Sequence, residues 1–198
     1  MVDRAEFVYA LNTAKVFASK DSMTPVLQAI RFRVADGHLH VEATDRFKAV
    51  EVRMTIEADG ASGAPVDGAA GLLPLAQVAP VLAEVKAKPK SDSAILIGVA
   101  DGAVTVERLR GQPVEGEFPN VSRLYPGEAT TEGAMFALSE SNVKALAVMA
   151  KKRDRHDQDG VRVHPAAPGE GLVLATKGND VRAIFSSLRN GLETDYVW

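Results

Sequence analysis

The stretch Val34-Ala35-Asp36-Gly37-His38-Leu39-His40-Val41-Glu42 alternates apolar and polar residues around Asp-Gly, and Val99-Ala100-Asp101-Gly102-Ala103-Val104-Thr105-Val106-Glu107 repeats the arrangement 65 residues later. Asp-Gly between alternating positions is a strong hairpin signal, because a tight two-residue turn needs positive φ, which Gly adopts without steric cost. Its return at an equivalent place marks a duplicated unit. A weaker third copy, Gly171-Leu172-Val173-Leu174-Ala175-Thr176 after Pro168-Gly169-Glu170, falls close to the same period.

Working outward, each hairpin is preceded by an amphipathic helical pattern. Asp3 as N-cap with Glu6 three residues on opens the first, whose stripe is Phe7, Ala10, Leu11, Ala14, Phe17 and Ala18, ending near Lys20-Asp21-Ser22. Pro25 then disfavours helix at Thr24, so Leu27 to Val34 reads as a strand, and Ala49 to Ile56 as the third strand of the unit. The second unit opens with Gly71-Leu72-Leu73-Pro74, followed by a helix over Leu75 to Lys88. Pro80 conflicts with that helix unless it starts late and holds Pro80 in its first turn. Strands at Ala94 to Val99 and Ala103 to Glu107 and a closing strand at Val114 to Phe118 complete the unit. Polar residues 127–133 form the best domain boundary. Beyond them come a short strand at 134–138, a helix capped by Ser139 or Ser141, and strands at Val161 to His164, Leu172 to Thr176 and Val181 to Leu188.

The chain has 198 residues, 46% apolar and 25% charged, a net charge of −3 and no cysteine, which excludes disulfides and thiolate metal sites. Apolar runs are short and broken by charge or Pro, so neither a membrane span nor a signal peptide is expected, and a cytoplasmic location is the default. The overall field is not basic; nucleic-acid contacts therefore depend on local clusters. There is no phosphate-binding Gly loop, nucleophile elbow or His-Glu-x-x-His, so no enzyme and no cofactor is expected. His156-Asp157-Gln158-Asp159 lies in a mixed-charge run and reads as a solvated turn before it reads as a metal site. His38 and His40 share a strand face with nothing else converging on them in sequence.

Two stretches carry a family resemblance. Ala43-Thr44-Asp45-Arg46-Phe47-Lys48-Ala49-Val50 resembles the Ala-Thr-Asp-x-x-Arg-Leu-Ala signature of the middle domain of bacterial DNA polymerase III β subunits, in an actinobacterial-like version. Gly116-Glu117-Phe118-Pro119-Asn120-Val121-Ser122-Arg123-Leu124-Tyr125-Pro126 is similar to the Gly-x-Phe-Pro-Asp-Tyr-x-x-Leu-x-Pro segment that closes the same domain, and Leu27 stands at the family's spacing before Ala43. Ala49 departs from the usual Leu. The resemblance implies an α+β DNA-clamp fold of repeated strand-helix-three-strand units, with antiparallel sheets outside and helices on one face. Residues 1–126 would be one complete domain and 134–198 half of another, against three complete domains in the family protomer.

What the resemblance implies for function is a sliding clamp that encircles or cradles duplex DNA without reading sequence, and tethers DNA polymerase or other proteins bearing a clamp-binding motif. The alternative is an adaptor or decoy that binds such peptides without enclosing DNA. Matched by position, the peptide cleft is lined by Leu27, Thr44, Arg46, Phe47, Lys48, Ala49, Pro119, Arg123 and Leu124. An apolar floor with cations at its edge suits a peptide pairing hydrophobic anchors with an acidic or amide residue. The family's remaining wall comes from the end of its last domain, which this sequence lacks, so the cleft is expected to be shallow or completed by something else. Tyr196-Val197-Trp198 is one candidate for that wall.

Family helices present cations to phosphates; here the candidates are Lys15, Lys20, Lys86, Lys88, Lys90, Lys144, Lys151, Lys152 and Arg153. Their recurrence near helix C-terminal ends is equally what the helix dipole favours. The unpaired third unit predicts self-association into a dimer or tetramer.

Overall fold

A computed structural model describes residues 1–57, 66–89, 93–125, 138–153, 157–165 and 172–186. The first unit follows its pattern: β1 (Val2–Asp3), α1 (Arg4–Phe17), β2 (Ala29–Ala35), β3 (His38–Thr44) and β4 (Lys48–Thr55). Asp3 caps α1 by accepting the Glu6 N–H at 2.9 Å. The helix stops at Phe17, short of Lys20, because the chain then turns to bond elsewhere: the Ser19 N–H donates to the Leu27 carbonyl at 2.9 Å. Leu27 itself lies in a 3₁₀ turn, Pro25–Gln28, instead of the expected strand.

The second unit contains β5 (Ala70–Pro74), α2 (Leu75–Ala87), β6 (Ala94–Ile95), β7 (Ile97–Ala100), β8 (Gly102–Val106) and β9 (Leu109–Arg110). Both Asp-Gly turns adopt the expected conformation, with φ of 52° and 72° at Asp36-Gly37 and 53° and 72° at Asp101-Gly102. Two expectations fail. The α2 helix starts directly after Pro74 and carries Pro80 in its interior; Pro80 and Ala76 are exposed, so water can satisfy the carbonyl that the missing N–H leaves unpaired. The closing strand over Val114 to Phe118 does not form: Pro113 and Pro119 lack ladder donors, and Gly116 sits at φ +108°, where a Cβ would meet Val26 at 3.3 Å. That stretch becomes a strap ending in a 3₁₀ turn, Val121–Leu124.

The third unit contributes α3 (Glu140–Met149), β10 (Val161–Pro165), β11 (Leu172–Lys177) and β12 (Val181–Ser186). Ser139 is the α3 cap, accepting from the Asn142 N–H at 3.2 Å. The expected boundary at 127–133, most of the strand at 134–138, the turn at 168–170, Lys90, His156 and the Tyr196 to Trp198 tail lie outside the described residues.

One ten-stranded sheet runs β10-β11-β12-β4-β3-β2-β5-β8-β7, with β9 on β8, and is antiparallel except for β5 against β8. The third unit therefore joins the first through β12 and β4, in the register Val181↔Val52 and Ala183↔Val50. Units one and two exchange their first strands: β5 pairs with β2, and β1 pairs with β6. All three helices pack on one face of the sheet, with α1 between α2 and α3. The core lies between helices and sheet, where Phe7 meets Phe32 and Phe17 meets Phe185 with ring centroids 6.2 and 5.4 Å apart.

Under α1 and α3 the core holds a buried ion pair. Lys177, fully buried, bonds Asp157 at 2.7 Å and the Lys151 carbonyl, and its ammonium lies 5.0 Å from the centroid of the Tyr9 ring. Burial alone would raise the Asp157 pKa, but the Lys177 bond and the N–H groups of Arg153 and Asp159 outweigh it and bring it down to about 2. A depressed carboxyl pKa stabilises above the unfolded value and loses that contribution as pH falls through the folded one. Acid unfolding followed by circular dichroism should thus lose stability from about pH 4 down to about pH 2. At pH 7, Asp157→Asn should cost about 3 kcal/mol in urea titration by stranding the lysine.

Candidate functional site

The outer sheet face carries a second apolar cluster built from all three units: Ala29 and Ala49 from the first, Leu72, Phe118, Val121 and Tyr125 from the second, Leu174 and Ile184 from the third. The strap from Gly116 to Tyr125 lies across this face. Phe118 receives the Arg31 guanidinium at 6.0 Å and Tyr125 receives that of Arg182 at 4.2 Å, so one aromatic grips the first unit and the other the third. The Tyr125 hydroxyl also donates to the Arg182 carbonyl at 3.4 Å. Burial, with the carboxylates of Glu51 and Glu42 nearby, raises the Tyr125 pKa well above that of a free phenol, so the hydroxyl remains a donor.

Leu27, Thr44 and Ala49 are buried, whereas Arg46, Phe47, Pro119, Arg123 and Leu124 are exposed, Phe47 at 69% and Leu124 at 49%. The turn that presents Phe47 is held rigidly. Thr44 Oγ1 donates to the Lys48 carbonyl at 2.9 Å and accepts from the Arg46 N–H at 3.2 Å, while Asp45 Oδ1 accepts the N–H groups of Phe47 and Lys48 at 3.0 and 2.9 Å. Arg46 sits at φ +81° as a result. The Phe47 carbonyl accepts the Ser186 N–H at 2.7 Å, tying the turn to the third unit. Lys48 alternates with Ala49 onto the helix side of β4, where it is bound to Asp45 and to Ser141 at 3.3 Å. Leu174 and Ile184, with Leu172 packed against them, extend the apolar cluster into the third unit.

On the opposite face the three helices form a basic surface. A groove of about 910 Å³ runs along α1 and is lined by Arg4, Lys15, Lys86, Lys151, Lys152 and Arg153, with Asp3 its acidic residue. Lys20 and Lys144, again with Lys15, line a second groove of about 750 Å³ together with Asp45 and Glu140. The helices meet head to tail: Arg4 donates to the carbonyls of Lys86, Lys88 and Pro89 at 3.2, 3.2 and 2.9 Å, and the Tyr9 hydroxyl donates to Met149 at 2.7 Å. Burial pushes the Tyr9 pKa up to about 12.

The candidate cations are not equivalent. Lys15, Lys20, Lys86, Lys151 and Lys152 are exposed. Lys88 pairs with Glu107 at 2.9 Å, Lys144 pairs with Glu140, and Arg153 is held by Asp180 at 3.2 Å, Asp159 at 3.3 Å and Asp157 at 3.7 Å. His38 Nδ1 lies 2.7 Å from the Asp36 carbonyl and His40 Nδ1 lies 3.0 Å from Glu51, which assigns both rings to the sheet's own bonding.

The same arrangement of sheet and helices occurs in solved bacterial proteins. The DNA polymerase III β subunit of Thermotoga maritima superposes with a TM-score of 0.69 at 16% identity, over 95% of this chain and 64% of that one. The β sliding clamp of Caulobacter crescentus gives 0.70 at 14% over 95% and 64%, and the DNA polymerase sliding clamp of Pseudomonas aeruginosa 0.68 at 11% over 95% and 66%. This is the DNA sliding-clamp fold. The chain spans under two thirds of the length of those clamps. No protein-family model matches the sequence, and no curated protein sequence matches it either. Clamp-fold residues that the sequence did not single out for the site are Phe118, Tyr125, Arg182, Leu174 and Ile184. The one local signal was Arg182, a charge inside the apolar run Val181-Arg182-Ala183-Ile184-Phe185.

If the two aromatics hold the strap, their replacements should separate. Tyr125→Phe keeps the ring over Arg182 and should cost about 1 kcal/mol or less, whereas Tyr125→Ala should cost about 3 kcal/mol in urea unfolding. Limited proteolysis should cut within 112–124 faster in the alanine variant only.

Proposed function

We propose that this protein is a sliding-clamp-like processivity factor, without catalytic chemistry of its own, whose helix face cradles duplex DNA and whose outer face tethers partner proteins through a short peptide. The observation that supports it is the placement of the two surfaces. The exposed anchors Phe47 and Leu124 flank an apolar floor shared by three units, and the exposed lysines line grooves on the opposite side of the same sheet. Arg46, Pro119 and Arg123 complete the exposed peptide surface, with Leu27, Thr44 and Ala49 buried beneath it. Lys15, Lys20, Lys86, Lys151 and Lys152 contact phosphates; Lys88, Lys144 and Arg153, already in ion pairs, serve the scaffold first. Lys90 belongs to the same basic set by sequence. The mechanism is topological: holding a weakly bound polymerase on the template raises its effective concentration without tightening any single contact.

The second reading, an adaptor that binds clamp-interaction peptides without enclosing DNA, draws on the pairing of those three cations and on the net charge of −3. Two measurements separate the readings. Leu124→Asp should abolish binding of a clamp-interaction peptide in calorimetry, because it places a charge against an apolar floor, while leaving the fold unchanged. Retained affinity would remove Leu124 from the site. Replacing Lys15, Lys86 and Lys151 by Glu should weaken duplex binding and flatten the plot of log affinity against log salt by about 0.9 for each phosphate no longer neutralised. An unchanged slope would favour the adaptor.

A further inference from the structure

We propose that the strap from Gly116 to Tyr125 opens and closes as one piece over an intact sheet, with Arg182 as its catch, and that the peptide surface is complete only while the strap is closed. The movement follows from how the strap is held; its consequence for peptides rests on the reading that Phe47 and Leu124 anchor one. Where the strap leaves the second unit, the Gly111 N–H donates to the Val104 carbonyl at 2.6 Å and the Gln112 N–H to Gln77 Oε1 at 2.9 Å. Beyond these, among the described residues, no backbone N–H or carbonyl from residue 113 to Tyr125 bonds the sheet.

Side chains hold it instead. Phe118, Val121 and Tyr125 are buried, while Pro119, Asn120, Arg123 and Leu124 between them are exposed. The three inward residues cover Ala29, Ala49, Leu72, Leu174 and Ile184, and their only hydrogen bond to the sheet among the described residues is the long one, 3.4 Å, from the Tyr125 hydroxyl to the Arg182 carbonyl. An apolar contact of this kind opens more readily than the β4 and β12 ladder beneath it, where five residue pairs would have to separate. Gly116, exposed at φ +108°, supplies the pivot, because glycine passes between positive and negative φ without a Cβ to obstruct it.

Arg182 sets how firmly the strap closes. Its guanidinium is fixed by two bonds to Glu51 of the first unit, at 3.1 and 2.9 Å, and lies 4.2 Å from the centroid of the Tyr125 ring. Seated by one unit and seating a segment of another, it is a positioning residue that reports to the strap whether the third unit is joined to the first. When the strap lifts, Pro119, Arg123 and Leu124 move away from Phe47, which stays on the turn held by Thr44 and Asp45. A peptide that needs both anchors binds the closed form alone, so its apparent affinity scales with the closed fraction. An unseated third unit therefore presents an incomplete site.

Hydrogen exchange of the full chain without peptide should show the amides of residues 117–125 opening at least about tenfold more often than those of β4 and β12. Arg182→Lys keeps a cation for Glu51 but removes the flat face beneath Tyr125. It should speed the strap amides about tenfold further and leave those of β4 unchanged, and it should weaken a clamp-interaction peptide by the same factor. Tyr125→Phe should match the parent in both measurements, and saturating peptide should slow the strap amides. Strap amides that open only as often as β4 in the parent overturn the proposal, because the strap is then inseparable from the sheet. So does an Arg182→Lys chain in which β4 opens with the strap, or one whose strap loosens while peptide affinity stays at the parent value. A parent that binds no peptide refutes the reading of Phe47 and Leu124 as anchors and with it the peptide half of the proposal, and the exchange comparison then decides the strap's movement by itself.

Discussion

The ladder between β4 and β12 is the contact on which both surfaces depend. Five residue pairs, from Val181↔Val52 to Phe185↔Lys48, turn two sheets into one, and without them the outer cluster would lose Leu174 and Ile184 and the basic groove would lose Lys151 and Lys152. At its centre Glu51, nearly buried, accepts both a two-pronged bond from Arg182 at 3.1 and 2.9 Å and one from His40 at 3.0 Å. Burial pushes the Glu51 pKa up, and the His40 and Arg182 bonds more than reverse it. A carboxylate taken out of water needs such partners, and here one comes from the third unit.

The charge pattern around that centre explains why the strap settles where it does. Glu42 and Glu51 face each other across β3 and β4, an arrangement of like charges that is unfavourable unless compensated. Arg31 and Arg33 bond Glu42 at 3.3 and 3.1 Å, and Arg182 bonds Glu51. The flanking guanidiniums then offer cationic faces on which Phe118 and Tyr125 stack. A row of charges in the sheet is thereby converted into a seat for an apolar segment, and the exposed side of that segment presents Pro119, Arg123 and Leu124.

Much of the local architecture was legible in the chain. The Asp36-Gly37 and Asp101-Gly102 turns, the Asp3 and Ser139 caps and the alternation in β2, β3, β4, β11 and β12 are short-range signals, each decided by φ, by a side-chain oxygen or by period-two burial. The departures are also physical. Pro80 persists inside α2 because it faces water, which a helical pattern read alone does not reveal. Val114 to Phe118 has the composition of a strand, while the prolines on either side, Pro113 and Pro119, deny it a ladder.

For the candidate site, sequence resemblance located the turn at Thr44 to Ala49 and the strap, and it named cations near the helix ends. It assigned the same role to Lys151 and Arg153, although Arg153 is bound to three carboxylates, one of them brought from the far side of a strand at Asp180. Sequence by itself determined the repeat, the caps and the turns, because these depend on residues within a few positions of one another. Tertiary structure alone decided that the third unit joins the first and not the second, which cations are already paired and that Leu174 and Ile184 extend the floor. Those outcomes depend on which strand edge and which buried charge find a partner across more than a hundred residues, as Arg182 does with Glu51, and no local pattern encodes that choice.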